Sequence, residues 1–143
     1  MNKPILSVAH LSVSFNHSSK VVDDISFDIY QGETFALVGE SGSGKSITAL
    51  SVLRLLPPNT RIQASEISLQ GDNLLRRAEY EMCQVRGRRI GLIFQDPMSS
   101  LNPVMTIGDQ IEEVIELHFD LPQQAVKQRV LELLRQVEIP KPE

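Results

Sequence analysis

Residues 39 to 46 read Gly39-Glu40-Ser41-Gly42-Ser43-Gly44-Lys45-Ser46. This segment matches the pattern G-x-x-x-x-G-K-[ST] in full, which is typical of a loop that cradles phosphate groups between a strand and a helix. A continuous apolar run precedes it at 34–38, and apolar residues at helical spacing follow it. Because the motif has the strand and the helix that it requires, the sequence predicts a P-loop and an α/β fold.

The residue types in this loop suit a polyphosphate. Glycines at 39, 42 and 44 let main-chain N–H groups approach phosphate oxygens without a Cβ in the way. The helix that begins near Lys45 adds the positive end of its dipole, Lys45 can reach the β and γ phosphates, and the Ser46 hydroxyl can ligate Mg²⁺. The sequence therefore predicts nucleotide-binding residues Gly39, Ser41, Gly42, Ser43, Gly44, Lys45 and Ser46, with Lys45 also catalytic.

Composition narrows the class of protein. The 143 residues carry 14 Lys and Arg against 18 Asp and Glu, a net charge of -4, and 41% of them are hydrophobic. This is one domain's worth of globular chain, and its acidic balance argues against a general nucleic-acid or anionic-membrane binder. The single cysteine, Cys83, excludes an intrachain disulfide and favours the cytosol. The sequence has no secretory signal pattern and no apolar run of membrane-spanning length.

Strand patterns dominate the first third of the chain. Apolar residues alternate with polar ones at 11–15 and again at 25–29, which predicts half-buried antiparallel strands. The segments 34–38 and 90–94 are continuously apolar, the pattern of strands buried on both faces of a parallel sheet.

Helical patterns follow. Ile47, Leu50 and Leu53 predict a helix that Pro57-Pro58 terminates. Thr106 and Asp109 predict a capping box. The two helices predicted in the last third of the chain have these apolar stripes: Ile107, Ile111, Val114 and Ile115 in one, and Val126, Val130, Leu133, Leu134 and Val137 in the other, which starts near Pro122.

The loop alone leaves the enzyme class open. A GTPase would carry an N-K-x-D base-reading motif, which this chain lacks. The apolar run at 90–94 is followed closely by Asp96, and a carboxylate at a strand end can hold Mg²⁺. One alternative is therefore a small P-loop phosphotransferase that uses Asp96.

A second segment points to a family. It reads Ile93-Phe94-Gln95-Asp96-Pro97-Met98-Ser99-Ser100-Leu101-Asn102-Pro103. Together with Val38 to Ser46, it resembles the ATP-binding subunits of ABC transporters, in the branch that imports dipeptides, oligopeptides and glutathione. The resemblance extends from about Leu6 to the end of the chain.

The resemblance implies roles for single residues. Phe15 resembles the A-loop aromatic that stacks on adenine, and Gln95 resembles the Q-loop glutamine, which contacts Mg²⁺ or the attacking water and is counted as catalytic. Segment 96–103, with apolar Met98, Leu101 and Pro103, corresponds to the stretch that meets the permease. Many members have a second hydroxyl residue at the position of Ile47. The Ile47 backbone N–H can still meet the α phosphate, so we expect the affinity for nucleotide to be reduced without being lost.

The family's later motifs are missing. The chain has no L-S-G-G-Q signature and no apolar strand ending in Asp-Glu, and His10, His17 and His118 do not match the switch histidine. We expect these histidines to be surface or boundary residues. The sequence is thus interpreted as residues 1–143 of an incomplete nucleotide-binding domain: a β subdomain and P-loop strand-helix unit to about 95, then the Q-loop and the start of a helical subdomain.

The functional expectation follows from the resemblance. The complete protein binds ATP and Mg²⁺ and hydrolyses ATP to drive peptide import through a permease, with a second nucleotide-binding domain and, indirectly, a solute-binding protein as partners and no nucleic acid. It lies in the cytoplasm, peripheral on the inner face of the plasma membrane. The 143 residues alone are expected to turn over little or no ATP, and to be marginally stable or to self-associate. A binding-only fragment is the other alternative.

Overall fold

The computed structural model describes residues 3–16, 20–96 and 100–141. The chain divides into two units, Met1–Cys83 and Gln84–Glu143. The subdomain boundary predicted near residue 95 stays a prediction. Each unit buries apolar side chains of its own, and each is described by itself.

The first unit contains the predicted antiparallel sheet. Its strands are β1 (Leu6–Phe15), β2 (Lys20–Ile29), β3 (Thr60–Gln63), β4 (Glu66–Leu69) and β5 (Asp72–Asn73). The order is β2-β1-β4-β5, and β3 pairs with the end of β1 that β4 leaves free. The antiparallel strands predicted from the alternating patterns at 11–15 and 25–29 are therefore confirmed, and the structure pairs them with each other.

A double irregularity interrupts the β1–β2 ladder. His10 and Asp24 both adopt positive φ, 55° and 50°, although neither is glycine. The His10 N–H donates to Ser26 Oγ at 2.8 Å, and the Asp24 N–H donates to Ser12 Oγ at 3.0 Å. The two side chains pair across the strands at 2.7 Å and remain exposed, as expected for His10. Two serine hydroxyls thus accept hydrogen bonds from backbone N–H groups in the region where the strand register shifts.

The P-loop helix ends earlier than predicted. Helix α1 spans Lys45–Val52, and Pro57 therefore does not terminate it. Instead Arg54 adopts φ 53°, its N–H donates to the Ser51 carbonyl at 3.1 Å, and the Leu55 N–H donates to the Leu50 carbonyl at 2.9 Å. This is a Schellman ending with arginine at the left-handed position that usually belongs to glycine.

A short 3-10 turn (Leu74–Arg76) and helix α2 (Glu79–Val85) follow the sheet. The core of the first unit consists of buried apolar side chains from the strands, from the helices and from the turns that follow them: Val8, Leu11, Val13, Val22, Val52, Leu53, Ile67, Leu69, Leu74 and Met82.

Helices α3 (Ile107–His118) and α4 (Gln123–Gln136) form the second unit's own core. The predicted capping box is present, with Thr106 Oγ1 accepting from the Asp109 N–H at 3.1 Å. The apolar stripes were right in part, and the core is Ile115, Val126, Val130 and Leu134. The prediction was wrong for three members of the stripes, since Ile107 is 47% exposed, Val114 is 51% exposed and Val137 is 67% exposed.

The two buried parallel strands predicted at 34–38 and 90–94 are not strands in the described chain. Val38 is 92% exposed and Ile93 is 91% exposed. A strand covered on both faces needs neighbours on both sides, and no described strand pairs with either segment apart from an isolated bridge at Ile90. The predicted strand-helix unit is therefore a loop-helix unit here, anchored by Phe35, which stacks on Phe27 at 4.9 Å.

Candidate functional site

The predicted phosphate loop is an exposed turn in front of α1. The Ser43 N–H donates to the Glu40 carbonyl at 3.2 Å and closes the turn. Gly42 and Gly44 have φ 81° and 89°, which L side chains rarely adopt. The two glycines therefore let the chain reverse direction directly before the helix, as the motif predicted.

Lys45 folds back over this loop. Its Nζ donates to the Gly39 carbonyl at 2.8 Å, to the Glu40 carbonyl at 2.6 Å and to Ser43 Oγ at 3.2 Å. These three oxygens use all three donors of an ammonium group. The structure thus brings the cation and the loop together, with the charge held at the loop's centre.

Gly44 is also required by a close contact with the sheet. A Cβ at this position would lie 2.9 Å from the Val21 carbonyl oxygen and 2.9 Å from Val22 Cγ2. At Gly39 a Cβ would lie 2.7 Å from Ser43 Oγ, whereas at Gly42 it would meet open space. The loop is therefore packed on β2 through Gly44, a contact that the motif alone does not reveal.

The first turn of α1 has no side chain that caps its N–H groups. The N-cap is Gly44, which has no side chain to accept from them, and the turn contains no acidic residue. Ser46 is exposed in this turn, and Ile47 is half-buried. Deeper in the helix, Thr48 Oγ1 donates to the Gly44 carbonyl at 3.0 Å and Ser51 Oγ donates to the Ile47 carbonyl at 2.6 Å, which satisfies two buried residues locally.

Phe15 lies at the end of β1, half-buried and paired with Thr60 of β3. Two residues earlier, Val13 pairs with Val22, which is the residue that contacts Gly44. At about 3.3 Å per residue along a strand, Phe15 is within about 7 Å of that pairing in the strand direction. The predicted aromatic and the phosphate loop therefore belong to the same end of the hairpin.

Sequence reasoning missed Arg54, which anchors the far end of α1. Its Nη1 donates to the Arg77 carbonyl at 2.6 Å and to the Leu74 carbonyl at 3.3 Å. Arg77 in turn binds Asp72 at 2.6 Å, and this hydrogen bond raises the pKa of the Arg77 guanidinium. Without a glycine after the helix, the sequence carried no signal for this ending.

Gln95 and Asp96 belong to the second unit, where both are exposed and outside any helix or strand. The phosphotransferase alternative depends on a strand that ends at Asp96, and the described chain has no strand there. Within the predicted permease segment 96–103, Pro97, Met98 and Ser99 lie outside the described residues. Leu101 is 40% exposed, and Asn102 is bound to α3 through Gln110.

His118 was predicted to be a surface or boundary residue, and this was wrong. It is 7% exposed at the end of α3, and a Cβ added to Gly87 would lie 3.0 Å from its Nε2. In the part of the chain that the structure describes, its buried Nδ1 has no hydrogen-bond partner. His17 lies outside the described residues.

The loop and α1 fit a polyphosphate with Mg²⁺. The oxygens now bound by Lys45 are hydrogen-bond acceptors, as phosphate oxygens are, so the ammonium can exchange one set for the other. The uncapped first turn offers N–H donors, and the exposed Ser46 hydroxyl is an oxygen donor of the kind Mg²⁺ prefers.

Neither a cluster of potential metal ligands nor a membrane-spanning helix occurs in the described ranges. Residues 3–16, 20–96 and 100–141 contain no group of three or more His, Cys, Asp or Glu side chains arranged to hold a metal ion. Among the helices of these same residues, none combines the length and apolarity that crossing a membrane requires.

Comparison with known proteins places the chain in a family. Residues 22–143 match the family described as ABC transporter. The chain is 49% identical to the peptidoglycan transport ATP-binding protein YejF of Agrobacterium fabrum, over 99% of this chain and 27% of that protein. It is 44% identical to the dipeptide transport ATP-binding protein DppD of Bacillus subtilis, over 96% of this chain and 42% of that protein. The oligopeptide transport ATP-binding protein OppD of Bacillus subtilis is also 44% identical, over 97% of this chain and 40% of that protein.

This chain thus spans less than half the length of these curated relatives. The family match nevertheless covers most of its residues, including the whole phosphate loop and Gln95. The resemblance first inferred from two short segments is therefore confirmed, and the chain belongs to the ABC transporter family.

Proposed function

We propose that this chain is the ATP-binding part of a subunit that energises the import of peptides or similar small solutes. The observation that carries the proposal is the position of Lys45, whose ammonium is held within the glycine-rich loop at an uncapped helix N-terminus. The peptide assignment is supported by the names of the relatives, which include dipeptide and oligopeptide transport ATP-binding proteins.

In this proposal the loop residues bind and orient the nucleotide. Lys45 leaves the Gly39 and Glu40 carbonyls and neutralises the β and γ phosphates, while main-chain N–H groups at the uncapped start of α1 bind phosphate oxygens. Ser46 provides an oxygen to Mg²⁺, which when bound supplies positive charge that stabilises the phosphates. Phe15 stacks on the adenine, since its strand end is the one against which the loop packs. The role of Gln95 in hydrolysis stays a prediction from the sequence.

The proposed membrane partner is a permease, which would contact segment 96–103. Apolar side chains are exposed within this segment at Leu101 and directly after it at Val104 and Met105. Val104 is 87% exposed. The neighbouring helix α3 carries Asp109, Glu112, Glu113 and Glu116. Cytoplasmic loops of membrane proteins are enriched in Lys and Arg, so an acidic surface with apolar residues complements such a loop.

The remaining parts of the proposal concern the natural full-length protein. Two nucleotide-binding domains would pair around two ATP molecules at the cytoplasmic face of the membrane, and a solute-binding protein would deliver the solute to the permease. Hydrolysis would depend on positioning and charge stabilisation by both domains. The 143-residue chain alone is therefore proposed to bind ATP with little or no turnover.

Equilibrium dialysis with ATP and Mg²⁺ tests the binding. We expect saturable binding by the chain, and Lys45→Met should weaken it by about tenfold or more, the loss expected when a charge-assisted contact of about 1.5–3 kcal/mol disappears. Lys127→Met, on the exposed surface of α4, is the matched control and should bind normally. Absence of saturable binding by the folded chain would refute the proposal. A phosphate-release assay on the same samples distinguishes binding alone from hydrolysis.

A further inference from the structure

The side chain of Gln110, on the first turns of α3, fastens the preceding loop to the helix. Its Oε1 accepts from the Asn102 N–H at 2.8 Å. Its Nε2 lies 3.1 Å from the Asn102 carbonyl oxygen, 3.3 Å from that of Met105 and 3.4 Å from that of Thr106. Both ends of one amide group are therefore occupied by main-chain groups of a single loop.

The loop is also closed internally. We define it as the docking loop, residues 101–106, which ends at the N-cap of α3. Asn102 Oδ1 accepts from the Val104 N–H at 3.1 Å, and the Asn102 carbonyl accepts from the Met105 N–H at 3.2 Å. Asn102 is thus the centre of the loop, and Gln110 binds both its N–H and its carbonyl.

The surface that this arrangement presents is apolar and concave. Leu101 and Met105 line a groove along α3 and α4 with a cavity volume of about 1010 Å³, together with Ile111, Phe119 and Leu133. Gln110 lines the same groove. A change in the loop's shape would therefore move two of the apolar walls at once.

We propose that Gln110 is a positioning residue for the contact with the permease: its amide fixes the docking loop in the shape that presents Leu101 and Met105. This inference rests on the proposed function, because it takes the permease as the occupant of the surface. The exposed apolar side chains of the loop and the acidic row on α3 support that occupant, since both suit a basic cytoplasmic segment.

The chemistry of the site requires an amide. A methionine has a similar length and helix propensity but can provide neither the donor nor the acceptor. A glutamate keeps the acceptor for the Asn102 N–H, yet it has no donor at neutral pH and sets a negative charge against the three carbonyl oxygens. The two substitutions thus separate the loss of all four contacts from the loss of the donor alone.

The experiment combines two readouts on Gln110→Met, Gln110→Glu and a matched control, Gln124→Met, which lies on the exposed start of α4. Amide hydrogen exchange of the chain is measured at Asn102. ATP hydrolysis by the full-length protein is measured with and without its permease in lipid nanodiscs, and the dissociation constant for ATP is measured in the same samples because a general folding defect would change it.

We expect Gln110→Met to accelerate exchange at Asn102 by about five- to tenfold, the loss of one hydrogen bond. It should reduce permease-stimulated hydrolysis by at least a similar factor, with the ATP dissociation constant within twofold of wild type. Gln110→Glu should reduce stimulation as strongly while protecting the Asn102 amide better. Unchanged exchange at Asn102 in Gln110→Met would show that the Gln110 side chain does not hold the docking loop. Faster exchange with full stimulation of ATP hydrolysis would show that the shape of this loop does not matter for the contact with the permease. If the permease does not stimulate ATP hydrolysis by the wild-type protein at all, the proposed function itself fails. The exchange result then still shows whether Gln110 holds the docking loop.

Discussion

The carbonyl oxygen of Val21 and the Cα of Gly44 are so close that no side chain fits between them, since a Cβ on Gly44 would lie 2.9 Å from that oxygen. Val21 belongs to β2 and Gly44 caps α1. The glycine therefore has two reasons to be present: its φ of 89°, and the packing of the phosphate loop on the sheet.

These two reasons can be separated by substitution. Gly44→Ala should destabilise the first unit by about 2–3 kcal/mol, because it adds a backbone clash to the cost of positive φ, and should weaken ATP binding. Gly71→Ala is the control, since Gly71 has φ 83° but its Cβ would meet open space. It should cost only about 1 kcal/mol. Urea unfolding measures both, and equal losses would show that the contact with Val21 contributes nothing.

Phe15→Leu tests the proposed adenine contact. Loss of aromatic stacking should weaken ATP binding by about fivefold or more, since stacking of a base on an aromatic ring is worth about 1–3 kcal/mol. Binding of inorganic triphosphate should not change, because it has no base. Phe119→Leu replaces an exposed phenylalanine of the second unit and is the control. A parallel loss of triphosphate binding in Phe15→Leu would indicate that Phe15 acts through the fold of the hairpin instead.

Arg54→Asn tests the anchor of the P-loop helix. Asparagine tolerates positive φ, so the substitution removes the guanidinium contacts to the Leu74 and Arg77 carbonyls without straining the backbone. We expect the free energy of unfolding of the first unit to fall by about 1.5–3 kcal/mol, the range for hydrogen bonds to charged groups. Arg61→Asn, on the exposed side of β3, should change it by less than about 0.5 kcal/mol. Similar values for the two variants would refute the anchoring role.

His118→Leu should leave the second unit as stable as before or stabilise it by up to about 1 kcal/mol. The substitution removes a buried nitrogen that lacks a partner in the described ranges, and such a group carries a desolvation penalty of about 1–3 kcal/mol that the loss of packing only partly offsets. Urea unfolding followed in the second unit measures the change. A loss above about 2 kcal/mol would mean that the Nδ1 atom has a stabilising contact after all.

The elements that sequence patterns predicted well are those fixed by near neighbours in the chain. The glycines at 42 and 44 set their own backbone angles, the capping box of Thr106 and Asp109 closes within four residues, and the β1–β2 hairpin follows from alternation. Three residues of the phosphate loop supply oxygens to the Lys45 ammonium, whereas its contact with phosphate stays a prediction.

The features that escaped prediction depend on distant parts of the chain. Segment 34–38 has the composition of a buried strand, but a strand is buried only if others pair with it, which its own sequence cannot specify. Arg54 finds its carbonyl partners some twenty residues away, and Gln110 binds a loop whose path no periodicity describes. His118 became buried through contact with Gly87, thirty-one residues earlier.

The contacts of Lys45 affect how ligand binding should be measured. The ammonium has three oxygen partners within the loop, so binding of a phosphate replaces bonds to neutral carbonyl and hydroxyl oxygens with stronger bonds to an anion. The enthalpy measured for this residue is therefore the difference between the bonds formed and the bonds given up, not the full strength of the new contact. Isotope-labelled nucleotide counted at equilibrium is the method suited to this chain.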